Sequence, residues 1–318
     1  MALALAHRPC PACGGLALRI ACSRRWIFVR PFPSHCSGEP CRRSPFGVLG
    51  VLAAMPLTEE IALQVDQKEG FSVSAWTRAE AIDRGKAKME AVIRWLAWFD
   101  YADRETLAAM LGVDVNGQSA FFKRLESSGF VQVEIAPGIR RRIYGLGDSG
   151  FEYALMLLPE LELRRRRRLP AWVSLVHSFS VQAAIIRRMP EIASIRPEKA
   201  LKHLRAVRLP DAIITLKDGS TVALEVELNH KSSARVFNIF LSHLKNIRSE
   251  HYERVLYVFP GEALCRLYRE KFDLPVWPIY RMREGSTRLV LETSRNFDAA
   301  QVHQSSMFTF TVEELYSL

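Results

Sequence analysis

The stretch LPDAIITLKDGSTVALEVELNHKS, residues 209–232, sets three carboxylates, Asp211, Glu225 and Glu227, among two apolar runs that flank Asp218-Gly219. Alternating runs on either side of such a turn predict a β-hairpin. Side chains two apart in a strand share a face, so Glu225 and Glu227 point together while Val222, Leu224, Val226 and Leu228 point the other way. A three-residue loop, Asp218-Gly219-Ser220, puts Ala212 opposite Val226, Ile214 opposite Leu224 and Leu216 opposite Val222. The same register sets Asp211 opposite Glu227. A two-residue turn would mix the faces, and matching of apolar faces is what fixes register. Two arrangements stay open on this reading. The acidic side faces water, or the three carboxylates converge on a cation, since convergent carboxylates repel and resist burial unless neutralised. An all-oxygen site suits Mg²⁺ or Mn²⁺.

Around the hairpin, helical and strand patterns alternate. WVSLVHSFSVQAAIIRRM and SARVFNIFLSHLKNIRSEHY read as amphipathic helices, RVLYVFP as a buried strand, EALCRLYREKF as a third helix and VWPIY as a late strand. This alternation predicts an α/β domain over 171–318, a mixed sheet with helices on both faces.

Upstream, residues 78–160 read as a winged helix-turn-helix. A long helix with an apolar stripe through Met89, Val92, Ile93 and Leu96 is followed by a short helix capped by Asp103 and stopped at Gly112. A second short helix spans about 115–128 and ends at Gly129. FVQVEIAPGIRRRIYGLGDSG then alternates around Pro137-Gly138, as a hairpin does. Its Arg140, Arg141 and Arg142 would make a cationic wing that meets phosphates. On the second helix Gln118, Ser119 and Lys123 are the candidate DNA-reading residues, although Gly117 weakens the helix start. Five consecutive arginines, 164–168, repel one another and predict a linker over 161–170 between the two parts.

The residues PDAII…ALEVELNHKS resemble the PD-(D/E)xK nuclease superfamily, whose motif is Pro-Asp followed by an acid-x-Lys strand. With the helix-turn-helix ahead of them, they make the chain similar to the MobC-like replication-relaxation family of plasmid and mobile-element proteins, over about residues 78–260. The resemblance implies a restriction-endonuclease-like core, DNA as the partner alongside other mobilisation or replication proteins, and metal-dependent nicking at an origin. On its terms Asp211 is the motif Asp, Glu225 the strand acid, and Glu198 the acid of the first core helix. Glu227 stands where the superfamily has Lys, and Lys231 would stand in for that cation, with His230 as a further candidate base. Asp211, Glu225, Glu227 and Lys231 would be catalytic, and Asp211, Glu225, Glu227 and Glu198 would hold Mg²⁺ or Mn²⁺. The rival reading is a DNA-binding regulator or relaxosome accessory whose nuclease-like core is inactive.

Composition narrows the field. The eight histidines are scattered singly, against a His-cluster nicking site, and no glycine-rich phosphate loop occurs. No apolar run reaches the roughly 18 residues of a membrane span, so no membrane partner is expected, and the free thiol of Cys265 fits a reducing cytoplasm. The net charge of +10 is uneven. Residues 1–54 hold seven Arg and one acid, five of the six Cys, and no Lys, Asp, Asn, Gln, Thr or Tyr. CPACGG and CSGEPC suggest zinc knuckles, and the Arg-rich start suggests a transit peptide. The abrupt change to ordinary composition at Met55 favours a third reading, in which 1–54 is disordered or translated from a start too far upstream. Intact-mass measurement of the natively produced protein should then give a chain that begins at Met55, or one from Met1 without bound zinc. A chain from Met1 carrying zinc would contradict this.

Overall fold

The computed structural model describes residues 77–136, 141–165, 168–204, 206–283, 285 and 288–316, with 21–22 and 25–26. The chain divides into two compact units, Met1–Leu57 and Thr58–Leu318. In the first, strands β1 (Ala21–Cys22) and β2 (Arg25–Trp26) pair antiparallel. The rest of the expected extension 1–54 lies outside the described residues.

The second unit opens with α1 (Arg78–Phe99). Thr77 and Glu80 close a capping box over its first turn, each side chain bonding the other's backbone N–H. A three-residue strand, β3 (Tyr101–Asp103), which the periodicity does not signal, leads into α2 (Arg104–Met110). Asp103 caps α2 as expected, accepting from the Thr106 N–H at 2.8 Å. A 3₁₀ turn, Asn116–Gln118, precedes α3 (Ser119–Ser127), so Gly117 stands before the α-helix proper rather than inside it. Strands β4 (Val131–Ile135) and β5 (Arg142–Leu146) form the expected hairpin and join β3 in the order β3-β5-β4. Their turn, with Pro137 and Arg140, lies outside the described residues. Helix α4 (Asp148–Leu157) packs so closely on the turn after α3 that a Cβ on Gly150 would stand 1.9 Å from the Phe130 carbonyl oxygen. Only glycine fits there.

The remainder is mixed α/β. Helix α5 (Trp172–Arg188) precedes β6 (Ile192–Pro197) and a 3₁₀ turn, Glu198–Leu201. The hairpin β7 (Ala212–Leu216) and β8 (Thr221–Val226), helix α6 (Ser233–Arg248), strand β9 (Arg254–Phe259) and helix α7 (Glu262–Phe272) follow. Strands β10 (Val276–Met282) and β11 (Leu289–Asp298), a single helical turn α8 (Ala300–His303) and β12 (Phe308–Val312) complete the chain. The mixed sheet has five strands in the order β12-β9-β8-β7-β6, with β8 parallel to β9 and antiparallel to β7. Val222, Leu224 and Val226 of β8 share a core with α5, and Ala223 lies in the core built on α6 and α7. Helices therefore cover both faces, as the alternation implies. VWPIY does form a strand, β10, but it pairs with β11 in a separate ribbon instead of joining the sheet.

The segment 161–170 does not separate two cores. Leu161 is buried in a hydrophobic cluster that runs from Val92 and Leu96 of α1 through Ala184 and Ile185 of α5 to Ala212 and Leu224 of the sheet. Arg165 pairs with Asp148 and Glu152 of α4 and lies over the Phe151 ring, so opposite charges and an aromatic face relieve the repulsion expected within the arginine run. Arg166 and Arg167 lie outside the described residues. The C-terminal segment adds a second tie. Tyr316 packs on Phe179 and donates its hydroxyl proton to Asp103 at 2.8 Å. Because one hydrophobic cluster spans α1, α5 and the sheet, unfolding followed by tryptophan fluorescence and by circular dichroism should show one shared transition. Leu161→Ala should destabilise it by about 2–4 kcal/mol. Two separate transitions, or a silent Leu161→Ala, would contradict the shared core.

Candidate functional site

The register of the hairpin settles the placement of the carboxylates. Ala212 stands opposite Leu224 and Ile214 opposite Val222, two residues displaced from the expected pairing, because Leu216 closes the turn against Ser220. The turn residues are Lys217, Asp218 and Gly219, and Gly219 takes a positive φ of 86°. Asp218 accepts from the Ser220 N–H and hydroxyl and so prefers a place inside the turn. A shift of two preserves the faces, which is why apolar matching alone does not detect it. The consequence is that Asp211 falls at the level of Glu225, not Glu227.

Glu225 is 1% exposed in the middle strand, yet it is charged and paired. Arg208 donates to both its oxygens, at 3.3 and 3.1 Å, and His243 of α6 places Nε2 3.1 Å from Oε1. His243 Nδ1 shares a 2.6 Å hydrogen bond with the Tyr252 hydroxyl, which also accepts from Asn246 at 3.0 Å. Asn246 in turn bonds the Arg208 carbonyl and the Val207 N–H, fixing the segment that carries the arginine. Burial opposes the ionisation of Glu225, but His243 and Arg208 outweigh it and hold its carboxyl down to about 2. The same pairing raises the pKa of Arg208 against its own desolvation.

The other carboxylates meet elsewhere. Asp211, Glu227, Lys231 and Glu198 line one cavity of about 690 Å³ between the end of α1, α5 and the end of the β7–β8 hairpin. Asp211 accepts from the Val226 N–H at 2.8 Å, and His177 of α5 stands 3.6 Å away. Burial and then Glu225 push the Asp211 carboxyl well above its ordinary range. Glu227, 2% exposed, accepts from Lys231; burial raises its pKa and Lys231 opposes the rise. Glu198 is exposed at the start of the 3₁₀ turn after β6, not on a core helix, and its N–H bonds the Asp211 carbonyl at 2.9 Å. His230 is exposed beyond the hairpin.

This donor set does not fit a resident Mg²⁺ or Mn²⁺. Such an ion needs several free oxygens, and here both oxygens of Glu225 face Arg208 while Glu227 faces Lys231. Among the described residues no three His, Cys, Asp or Glu side chains are grouped to hold a metal ion. No protein-family model matches the chain, and no curated protein matches it.

The proposed DNA-reading residues are scattered in environment. Lys123 is exposed on α3. Ser119 is exposed but accepts from Arg104 at 2.7 Å, and Gln118 is half-buried and accepts from Lys88. Arg141 turns inward to Asp103 and Tyr316, and Arg142 is exposed but paired with Glu126 at 2.8 Å. Arg140 lies outside the described residues. Arg124 is not among the residues expected from the sequence, although Ala120, Lys123, Arg124 and Ser127 recur at helical spacing opposite Phe121, Phe122 and Leu125. That spacing is the available signal, and all four are exposed.

Glu225→Gln should destabilise the fold by about 3–5 kcal/mol, since it leaves Arg208 without its buried partner. Asp211→Asn should match the wild type within about 1 kcal/mol or exceed it, because it removes a carboxylate whose ionisation is opposed. The pH dependence has opposite signs. Stability from Glu225 is present above its ordinary value of 4.5 and is lost as pH falls from there toward about 2. The contribution of Asp211 is complete below the ordinary carboxylate range and is lost as pH rises through its raised value. Urea unfolding of both variants between acid and neutral pH checks this ordering, and equal costs would refute it.

Proposed function

We propose that the protein is a DNA-binding accessory protein of the replication-relaxation type, in which a winged helix reads DNA and a PD-(D/E)xK-like core serves as a structural platform. The observation that carries this reading is the occupation of Glu225 by Arg208 and His243. Where a nuclease of that lineage would turn this acid toward a metal, the Arg208 guanidinium of this chain pairs with it instead. The order of α1, α2 and α3 followed by the β4–β5 hairpin and α4 supports the winged helix. Helix α3, with Lys123 and Arg124 on its exposed face, supports a role as the groove-facing helix.

One observation favours nicking as the second reading. Asp211, Glu227, Lys231 and Glu198 line a single cavity with His177 beside Asp211. Two experiments test the proposal. Binding of duplex DNA should weaken in Lys123→Ala/Arg124→Ala, with the log–log salt slope reduced by about 0.9 for each phosphate no longer neutralised. Arg141→Ala should act mainly on stability, since that guanidinium serves Asp103 and Tyr316. Supercoiled plasmid carrying a cognate origin should stay supercoiled with the protein and Mg²⁺. Open circles that vanish in Asp211→Asn would establish the nicking reading in its place.

A further inference from the structure

The ribbon of β10 and β11 belongs neither to the five-stranded sheet nor to the site above, and its construction calls for a partner. Its base is fixed. Trp277 is fully buried, donates its indole N–H to the Phe272 carbonyl at 2.9 Å, and packs against Phe240 and Phe297 with ring centres 5.2 and 5.5 Å away. Beyond the base the register breaks. Pro278 pairs with Asn296, whereas Tyr280 pairs with Leu291, so Ile279 alone faces the four residues 292–295. Extra residues in one strand bend a ribbon at that point.

The distal part has two unlike faces. Partners directly opposite each other on antiparallel strands share a face. Tyr280 with Leu291 and Met282 with Leu289 therefore make one side, and Arg281 with Val290 lies on the other. The Arg283 N–H continues the ladder to the Arg288 carbonyl at 3.0 Å, placing those two on the arginine side. Met282 is 66% exposed and Leu291 46%. By sequence, residues 280–295 hold Arg281, Arg283, Arg288 and Arg295 against two acids, Glu284 and Glu292. Arg281, Arg283 and Arg295 make no ion pair among the described residues. A two-stranded ribbon is marginal alone, and an exposed apolar edge is a liability unless it is used.

We infer that the distal β10–β11 ribbon is a second DNA-binding element, an arm that lies in a groove of duplex DNA, and this rests on the DNA-binding reading proposed above. Four cations against two acids complement phosphates on both sides of a groove, and a two-stranded ribbon matches the width of the major groove. Exposed apolar side chains such as Met282 and Leu291 can lie against base edges or wedge between them. A second copy of the chain would meet the apolar side and leave the arginine side unused, so it is the less suited occupant.

The test uses the full chain and a fluorescent mixed-sequence duplex, with anisotropy read across a salt series. Arg281→Ala/Arg283→Ala should bind about tenfold more weakly near 0.15 M salt, and its salt slope should fall by about 0.9 for each phosphate the arm ceases to neutralise. Arg281→Glu, a single change at an exposed position, should weaken binding at least as much. Circular dichroism matching the wild type confirms that each variant folds. Wild-type affinity and slope in both variants would overturn the arm while leaving the DNA-binding reading intact. A wild-type protein that binds no duplex overturns both. A dimer that becomes monomeric in Met282→Ala/Leu291→Ala, with duplex affinity unchanged, assigns the ribbon to a second copy and overturns the arm.

Discussion

The structure depends on a buried negative charge. Glu225 sits in the middle strand of a five-stranded sheet, walled by helices on both faces, where an unpaired carboxylate would be expelled or protonated. Arg208 reaches it from the segment before β7 and His243 from α6, so three parts of the fold must be in place before the charge is satisfied. Asn246 and Tyr252 then hold the two partners. The arrangement joins the hairpin to the helical layer through charge and hydrogen bonds rather than through packing alone. Such a network is costly when half-formed and specific when complete.

A second constraint joins α1–α3 to the five-stranded sheet. The cluster that begins in α1 ends in β7 and β8, and Tyr316 carries the C-terminal segment back to Asp103, the residue that caps α2. The orientation of α3 is thereby tied to the sheet.

Much of this is legible in the residues. The helix capped by Asp103, the second short helix, the hairpin after them and the alternation of helix and strand from Trp172 onward follow from periodicity, glycines and that cap, and all recur in the structure. The facing of Glu225 and Glu227 away from Val222 and Leu224 is legible for the same reason. The register is not, because a displacement of two residues leaves every face unchanged and only the Asp218–Ser220 hydrogen bonds decide it. Arg208 and His243 escape a reading of the hairpin because they lie outside it, and distance in sequence conceals an interaction across the sheet. His243 does carry a signal, since it falls on the buried stripe of α6 with Val236, Phe240 and Leu244. The arginine run reads as a linker when charge repulsion is weighed without Asp148 and Glu152, which α4 supplies.

On the function proposed above, Arg208 and Lys231 stand in place of a metal at the β7–β8 hairpin. Calorimetric titration of Mn²⁺ and Mg²⁺ into the full chain at neutral pH, with Asp211→Asn in parallel, tests it most directly. The account predicts no saturable one-to-one binding in either protein and no change in unfolding temperature with added metal. Stoichiometric binding in the wild type that disappears in Asp211→Asn would contradict it.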